Sequence, residues 1–163
     1  MDRLWAPWRM TYIKGIGTDT GECIFCAKPK EERDRENLVL TRGKTAYVIL
    51  NLYPYNNGHM MVVPYVHTSE LEGLSGETVG EMWELCRRSV AVLTKAFHPE
   101  GFNIGLNVGR AAGAGIDQHL HLHIVPRWNG DTNFMPVVGA TKVISQSLEE
   151  TYDTLQPLYQ GCA

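Results

Sequence analysis

The sequence contains no apolar run long enough, at about 20 residues, to cross a membrane. The first ten residues, MDRLWAPWRM, also lack the apolar core of a secretion signal. We therefore expect a cytoplasmic protein with no membrane partner. Cysteine is scarce as well, with four in 163 residues. In a reducing compartment, closely spaced cysteines indicate metal or redox chemistry more often than a structural disulfide.

A strong net charge is missing too. The chain carries 15 Lys and Arg against 18 Asp and Glu, which gives a formal net charge of -3. This balance provides no general attraction to a polyanion, so no nucleic-acid partner is expected. A phosphate-binding site would have to be built locally, from backbone amides, imidazoles and a few basic side chains.

The pattern of apolar residues predicts an α+β fold in a single domain over residues 1–163, with residues 1–35 as an N-terminal arm and metal knuckle. It indicates an antiparallel sheet of about five strands, one long central helix and a C-terminal helix. The predicted elements are a hairpin over 38–54 that turns at Arg42–Lys44, a third strand ending at Pro64, a helix over 79–97, strands over 102–108 and 119–125, and a helix over 141–159. The helical stripe comprises Val79, Met82, Trp83, Cys86, Val90, Leu93 and Phe97, so Cys86 is predicted to be a core residue.

Three histidines occupy alternate positions in the last predicted strand, QHLHLHIV. On a strand His119, His121 and His123 would face one side, about 6.6 Å apart, while the apolar residues between them enter the core. A solvent-facing edge would more often carry Thr, Lys or Glu. The row therefore indicates either metal ligands or a neutral imidazole that attacks phosphorus. A small-residue loop just upstream, GRAAGAG, favours the second chemistry because its amides can converge on an anion.

Cys23 and Cys26 form a second candidate site, CIFC. No βαβ unit surrounds them, so the sequence gives little support for a thioredoxin-like redox pair. They could also be two buried thiols. As a structural zinc site they would need two further ligands, since such sites are tetrahedral.

These motifs together resemble the histidine-triad family of nucleotidyl hydrolases and transferases. HLHLHIV matches the family's His-φ-His-φ-His-φ-φ motif, LNLYPYNNGHMMVVPYVH is similar to its strand pair with an embedded Gly-His, and FNIGLNVGRAAGAG is similar to its phosphate loop. The flanking WAPWR and VPRWNGDTNFM look most like a microbial branch near the Fhit-like hydrolases and the diadenosine tetraphosphate phosphorylases.

The resemblance implies a catalytic group made of the triad and a fourth histidine. His121 would be the nucleophile that forms a covalent nucleotidyl-imidazole intermediate. His123 and His59 would contact the phosphate and stabilise developing negative charge. His119 opens the triad, and its role is tied to the metal site.

The resemblance also implies the nucleotide-binding residues. Asn51 matches a ribose-binding position, Leu52 would belong to the base pocket, and Asn107 would bond phosphate or orient a histidine. Gly113 and Gly115 belong to the phosphate loop. This loop departs from the family pattern, because Gln and hydroxyl side chains are absent at the matching places and its spacing to the first histidine is about one residue longer.

Zinc-binding relatives complete a CxxC site with a His after the Gly-His strand and the first His of the triad. The matching positions are His67 and His119, so the implied ligand set is Cys23, Cys26, His67 and His119 around one structural zinc ion. The family likeness also implies a homodimer.

The function expected is cleavage of the phosphoanhydride of a dinucleoside polyphosphate, of the diadenosine tetraphosphate type, with phosphate or water resolving the intermediate. The flanking motifs favour phosphate. Two alternatives stay open at this point: a nucleoside phosphoramidase of the Hint type, and a nucleotide-binding or sensing module whose catalysis is incidental.

Overall fold

The fold is built on a five-stranded antiparallel sheet in the order β1-β2-β3-β5-β4, seen in a computed structural model that describes residues 22–131 and 143–161. The strands are β1 (Val39–Arg42), β2 (Ala46–Leu50), β3 (Met60–Pro64), β4 (Gly101–Leu106) and β5 (Leu122–Arg127). The α-helices are α1 (Ile24–Ala27), α2 (Asp34–Asn37), α3 (Gly76–Phe97) and α4 (Leu148–Gln160), and short 3-10 helices cover Lys28–Glu31, Leu71–Gly73 and Arg110–Ala112. The predicted α+β class, the five antiparallel strands and the two long helices are confirmed.

The core lies between the sheet and α3. Every residue of β2 and β3 is buried, so these strands form the centre of the sheet. Helix α3 adds buried residues at intervals of three and four, among them Met82 and Leu93. Cys86 is 2% exposed, which confirms it as a core residue. None of the helices in the described part of the chain is long and apolar enough to span a membrane.

Two members of the predicted helical stripe lie outside the core. Val79 is 37% exposed and Trp83 is 56% exposed. The buried row of α3 begins one residue earlier, at Thr78 and Met82. Because successive residues rotate by about 100° around a helix, Val79 and Trp83 fall at the edge of the buried face.

One carboxylate on α3 fixes the turn between β1 and β2. Glu81 accepts hydrogen bonds from the backbone amides of Lys44 and Ala46 at 2.7 and 3.1 Å, and from the amide and hydroxyl of Thr45. Burial alone would raise the pKa of this carboxyl, but these hydrogen bonds outweigh it and the pKa lies below its ordinary value. The hairpin predicted at Arg42–Lys44 is thus tied to the helix that covers the sheet.

The last strand differs from the prediction at both ends, because β5 runs from Leu122 to Arg127 and not from 119 to 125. Its ladder with β3 ends at Leu122, and the chain before it turns aside, since the amide of Leu120 donates to Thr68 O at 2.8 Å. Pro126 fits inside the strand because β3 pairs no further than Ile124. On the side facing β3 the carbonyl of Pro126 accepts a hydrogen bond from Asn56 Nδ2. No strand there needs a backbone N–H from residue 126, which proline lacks.

The C-terminal helix begins later than predicted, at Leu148 instead of residue 141. Ser147 and Glu150 form a reciprocal capping box, in which the Ser147 hydroxyl accepts from the Glu150 amide and the Glu150 carboxylate accepts from the Ser147 amide. This Ser-x-x-Glu signal is present in the sequence and sets the helix start. The predictions for residues 1–21, 141–142 and Cys162 concern residues outside the part of the chain that the structure describes.

Candidate catalytic and metal site

Two cysteines and two histidines from distant parts of the chain meet beside β5. Cys23 caps the start of α1 and Cys26 lies within this helix, whereas His67 follows β3 and His119 precedes β5. Their ligand atoms all lie within 4.8 Å of one another. Nδ1 of His119 is 3.4 Å from Cys23 Sγ, 3.5 Å from Cys26 Sγ and 3.2 Å from His67 Nδ1. The structure therefore assembles the four ligands that the sequence comparison implied, and this cluster could hold a metal ion.

The spacing of the cluster suits tetrahedral coordination. With metal–nitrogen bonds of about 2.0–2.1 Å and metal–sulfur bonds of about 2.3 Å, tetrahedral ligands lie about 3.3 Å apart for two nitrogens and about 3.6 Å apart for nitrogen and sulfur. The second nitrogen of His119 is already in use, because Nε2 lies 2.8 Å from the carbonyl oxygen of Pro64 and donates to it. That bond leaves Nδ1 unprotonated and aimed at the other ligands, the usual arrangement of a metal-binding histidine.

The cluster also touches the middle histidine of the triad. Phe25, the residue before Cys26, is 3% exposed, and its ring lies 5.5 Å from the ring of His119 and 5.0 Å from that of His121. The Tyr47 hydroxyl donates to the Phe25 carbonyl at 2.8 Å. The knuckle is thus fixed to the sheet at β2 and forms part of the wall around His121.

His121 presents one defined nitrogen for chemistry. Its Nδ1 lies 2.8 Å from the carbonyl oxygen of His119, and a carbonyl can only accept, so Nδ1 carries the proton. The ring is 6% exposed. Burial lowers the pKa of His121, although the bond to the carbonyl opposes this. The imidazole therefore stays neutral at pH values somewhat below its ordinary pKa. Its unprotonated Nε2 can then act as a nucleophile.

A chain of hydrogen bonds defines the protons of the two neighbouring histidines. The backbone amide of Tyr55 donates to His59 Nδ1 at 3.0 Å, so the proton of neutral His59 is on Nε2. Nε2 of His59 lies 3.0 Å from His123 Nδ1 and donates to it. His123 therefore carries its own proton on Nε2. The predicted group is brought together, because the ring of His123 lies 5.1 Å from that of His59 and 4.8 Å from that of His121.

His59 lies behind His123 and not beside it. It is 1% exposed, and both of its ring nitrogens are engaged by protein groups. Burial, followed by the adjacent His123 and His121, lowers its pKa to about 3. The direct phosphate contact expected of His59 does not fit this placement, because a buried ring with both nitrogens bonded has no donor left for a ligand.

The residues with an implied role in nucleotide binding lie around this group. Asn51 follows β2, its amide donates to the His59 carbonyl at 2.9 Å, and its Oδ1 accepts from the Tyr53 amide at 2.9 Å. Leu52 is 51% exposed. Asn107 follows β4 and lines a cavity of about 430 Å³ together with His123.

The small-residue loop is more closed than the sequence indicated. The amides of Ala112 and Gly113 donate to the carbonyls of Gly109 and Arg110 at 3.2 and 2.9 Å, and Ala114 N lies 3.4 Å from Gly109 O. Gly113 has a φ of 90°, a value that favours glycine. These amides point into the loop and not towards a ligand. Gly115 follows in the stretch that leads to His119 and is half-buried.

The profile of the HIT domain family matches residues 32–130. The four histidines described above all lie within that range. The chain belongs to the HIT domain family. An AP-4-A phosphorylase from Mycobacterium tuberculosis is 44% identical over 157 residues, which cover 93% of this chain and 80% of that protein. An adenosine 5′-monophosphoramidase from Schizosaccharomyces pombe is 34% identical over 107 residues, covering 66% of this chain and 75% of that protein.

A solved structure of a zinc-bound histidine triad family protein from Mycobacterium smegmatis superposes with a TM-score of 0.69. It is 30% identical, and the match covers 85% of this chain and 94% of the other. Cys23 and Cys26 lie before the part of the chain that matches the HIT profile. The metal cluster therefore joins a segment outside this match to the first histidine of the triad.

Two residues beside these histidines were not singled out from the sequence. Tyr55 supplies the amide that fixes His59, and its ring lies 4.6 Å from that of His59. Phe25, whose ring packs against those of His119 and His121, is the other. Tyr55 lies four residues before His59 in a turn, so no periodic pattern marks it. The spacing of CIFC could have indicated Phe25, since a residue between two ligands of a knuckle must face its neighbours.

The buried His59 predicts a dependence of stability on pH. Between its ordinary pKa near 6.5 and its folded pKa of about 3, the unfolded chain binds a proton that the folded chain excludes. Folding should therefore lose stability as the pH falls below 6.5, and His59 contributes up to about 1.4 kcal/mol per pH unit to this slope. We expect His59→Gln to show a shallower slope of unfolding free energy between pH 4 and 6.5 in denaturant titrations.

His98→Gln provides the matched control, since His98 is an exposed histidine at the end of α3. It should leave the slope as in the wild type. Parallel curves for His59→Gln and wild type would contradict the assignment of His59 as a buried neutral group.

Proposed function

We propose that the protein is a nucleotidyl transferase that cleaves diadenosine tetraphosphate by way of a nucleotidyl-His121 intermediate, with inorganic phosphate as the second acceptor. The observation that carries this proposal is the 2.8 Å bond between His121 Nδ1 and the carbonyl of His119, which leaves Nε2 as a nucleophile next to His123. The acceptor follows the AP-4-A phosphorylase, which is 44% identical over nearly the whole chain.

The reaction consists of two displacements at one phosphorus atom. In the first, Nε2 of His121 forms a P–N bond to the α-phosphorus while the bond to the bridging oxygen breaks, and ATP leaves with the electron pair. In the second, an oxygen of hydrogen phosphate attacks the same phosphorus. The P–N bond then breaks, its electron pair returns to Nε2, ADP forms and a proton is released to solvent.

His123 supports both displacements as a hydrogen-bond donor. Its Nε2–H can donate to an oxygen on the α-phosphate where negative charge increases in the transition state. His59 acts through His123: by donating to Nδ1 it holds His123 in the tautomer that carries this proton. We therefore assign His59 as a positioning residue. Asn107 is a further candidate for the same phosphate, because it lines the cavity with His123.

The first nucleoside would lie near the end of β2. Asn51 is tied to His59 through the backbone, so its side chain has a fixed place beside the histidines for a ribose hydroxyl. The half-exposed Leu52 offers apolar surface for the base. Gly113 shapes the small-residue loop, and the amides from Gly115 onward are the candidates for phosphate contacts.

The products of one reaction test the function. The full-length chain is incubated with diadenosine tetraphosphate, with and without inorganic phosphate, and the nucleotides are separated by chromatography. We expect ADP and ATP in equal amounts, formed only when phosphate is present, and a loss of at least about 10³-fold in His121→Ala because the nucleophile is missing.

AMP and ATP as products would show that water, and not phosphate, is the acceptor. Full activity in His121→Ala would overturn the mechanism. Adenosine 5′-phosphoramidate is the comparison substrate, because the phosphoramidase from S. pombe is 34% identical. Faster cleavage of this compound than of diadenosine tetraphosphate would replace the proposed substrate class.

The role of His59 has its own test in a pair of variants. His59→Gln keeps an amide donor for His123 and a carbonyl acceptor for Tyr55, whereas His59→Phe fills the space with neither. We expect kcat to fall about a hundredfold in His59→Phe and by less than about tenfold in His59→Gln, with KM nearly unchanged in both. Nitrogen-15 NMR should show His123 protonated at Nε2 in wild type and His59→Gln. Equal losses in the two variants, or a His123 proton at Nδ1, would contradict the positioning role.

We propose that the metal cluster holds one structural zinc ion. Two thiolates and two imidazoles with tetrahedral spacing are the donors that zinc prefers, and four protein ligands leave no open position for substrate. Burial and then the neighbouring Cys23 raise the pKa of the Cys26 thiol, and a cation between the ligands would oppose both effects. The zinc-bound relative from M. smegmatis supports the choice of metal.

Metal analysis tests the zinc site directly. Protein purified without chelators should contain about one zinc per chain, and Cys23→Ser should contain little and unfold at a lower temperature. Cys86→Ser is the control, since Cys86 lies in the core and away from the cluster, and it should keep its zinc even if it loses stability. Wild-type protein with no bound metal would contradict the proposal.

We further propose a homodimer that forms along β4. Within the described residues β4 pairs with β5 on one side only, so its other edge presents backbone donors and acceptors. Ile104 is 40% exposed on this strand, and Val108 just after it is 46% exposed. A second copy of the chain could cover this edge.

A further inference from the structure

A polar cavity borders His123 and Asn107, the two side chains proposed to contact the α-phosphate. Its volume is about 430 Å³, and its lining includes Tyr55, Asn103, Asn107, His123, Arg127 and Asp131. The lining does not include His121, Asn51 or Leu52. The cavity therefore begins at the proposed phosphate contacts, and the proposed nucleophile and the side chains proposed for the first nucleoside lie outside its lining.

The cavity floor follows from the pairing of β4 with β5. Asn103 lies opposite Val125, and Gly105 lies opposite His123. A Cβ added to Gly105 would meet no atom within 4 Å, so the floor beside His123 is open. Alternate residues of β5 face this side, which places Arg127 about 13 Å from His123 along the strand.

The far end of the cavity is a prearranged set of hydrogen-bonding groups. The Arg127 guanidinium donates to both oxygens of Asp131, at 2.6 and 2.9 Å, and to Asn103 Oδ1 at 2.7 Å. Asp131 also accepts from Asn56 Nδ2 at 2.7 Å and from the Trp128 amide at 3.2 Å. These bonds fix the orientation of Arg127, whose side chain is still 44% exposed.

We propose that this cavity binds the second nucleoside of a dinucleoside polyphosphate, the half that departs when His121 attacks. The inference rests on the proposed function. In an in-line displacement the leaving group lies opposite the nucleophile, and the cavity borders the proposed phosphate contacts without including His121 in its lining. Three phosphates and a ribose can span the distance from His123 to Arg127.

The chemistry of the far end suits a nucleoside better than a phosphate. Arg127 and Asp131 form a bidentate pair whose charges cancel, so this end offers no net positive charge for an anion. It offers instead guanidinium and amide N–H groups together with an amide oxygen, which match the hydroxyls of a ribose or the edge of a base. The ring of Tyr55, 40% exposed, adds surface for stacking.

Two substrates that differ only in the second nucleoside test the proposal. Diadenosine tetraphosphate and adenosine 5′-tetraphosphate present the same adenosine and the same α-phosphorus, and only the first has a second adenosine. Wild type, Asn103→Ala and Arg127→Gln are compared on both substrates in the presence of phosphate. Since each variant is referred to wild type on the same substrate, the different reactivities of the two leaving groups cancel.

We expect each variant to lower kcat/KM for diadenosine tetraphosphate about tenfold, the effect of losing one or two hydrogen bonds, and to stay within about twofold of wild type on adenosine 5′-tetraphosphate. Asn103 lies on an exposed strand, so its variant keeps the proposal testable if Arg127→Gln unfolds. Arg87→Gln is the matched control, because Arg87 also makes two bonds to one carboxylate, that of Glu84, on the exposed side of α3. It should change neither rate.

Equal losses on both substrates, or no loss on diadenosine tetraphosphate, would overturn the second nucleoside site and leave the proposed function intact. A wild-type enzyme that cleaves neither substrate would instead remove the proposed function and this site with it.

Discussion

The hydrogen bond from His121 Nδ1 to the carbonyl oxygen of His119, 2.8 Å long, connects the two centres of this protein. The side chain of His119 belongs to the cluster with Cys23, Cys26 and His67, and its backbone carbonyl fixes the proton on Nδ1 of His121, the proposed nucleophile. A shift of this one residue would disturb both. The carbonyl is held in place because the His119 ring is bonded at Nδ1 to the cluster and at Nε2 to Pro64, and because the next amide, that of Leu120, is bonded to Thr68.

Because the rings are buried, these hydrogen bonds decide which nitrogen of each histidine carries the proton. The rings of His59, His119 and His121 are almost fully enclosed, and desolvation lowers the pKa of each. A neutral imidazole has one donor and one acceptor, so a single fixed partner determines which nitrogen carries the proton. The Tyr55 amide, the His119 carbonyl and the Pro64 carbonyl are such partners, and they give four neighbouring histidines distinct roles. Exposed imidazoles at neutral pH would exchange protons with water and lose this order.

The segment that carries Cys23 and Cys26 packs directly against two of the histidines. Cys23 and Cys26 place Phe25 against the rings of both His119 and His121, while the Tyr47 hydroxyl ties the knuckle to the central strand. The cavity proposed for the second nucleoside begins at His123 and has the hydrogen-bonded Arg127 at its far end. The proposed nucleophile thus has the Phe25 ring packed against it, and the adjacent His123 borders the proposed substrate cavity.

The sequence by itself predicted the secondary-structure elements and the candidate reacting groups. Periodicity predicted the long helix and the antiparallel strands, because burial on one face leaves a direct trace in the order of residues. Motif resemblance selected the four histidines and the four possible metal ligands. The true start of α4 was also readable from Ser147 and Glu150, although periodicity alone placed it too early.

Only the tertiary structure decided what each histidine can do. Simple alternation would place His119, His121 and His123 in one row on a strand, but β5 begins at Leu122 and the chain before it turns towards Thr68. His119 therefore points to the cysteines, and His59 lies behind His123 with both of its ring nitrogens bonded to protein groups. Such roles depend on hydrogen bonds between residues far apart in the chain, such as the 64 positions between His59 and His123. Local sequence patterns carry no information on those partners, so the protonation of each ring follows only from the folded arrangement.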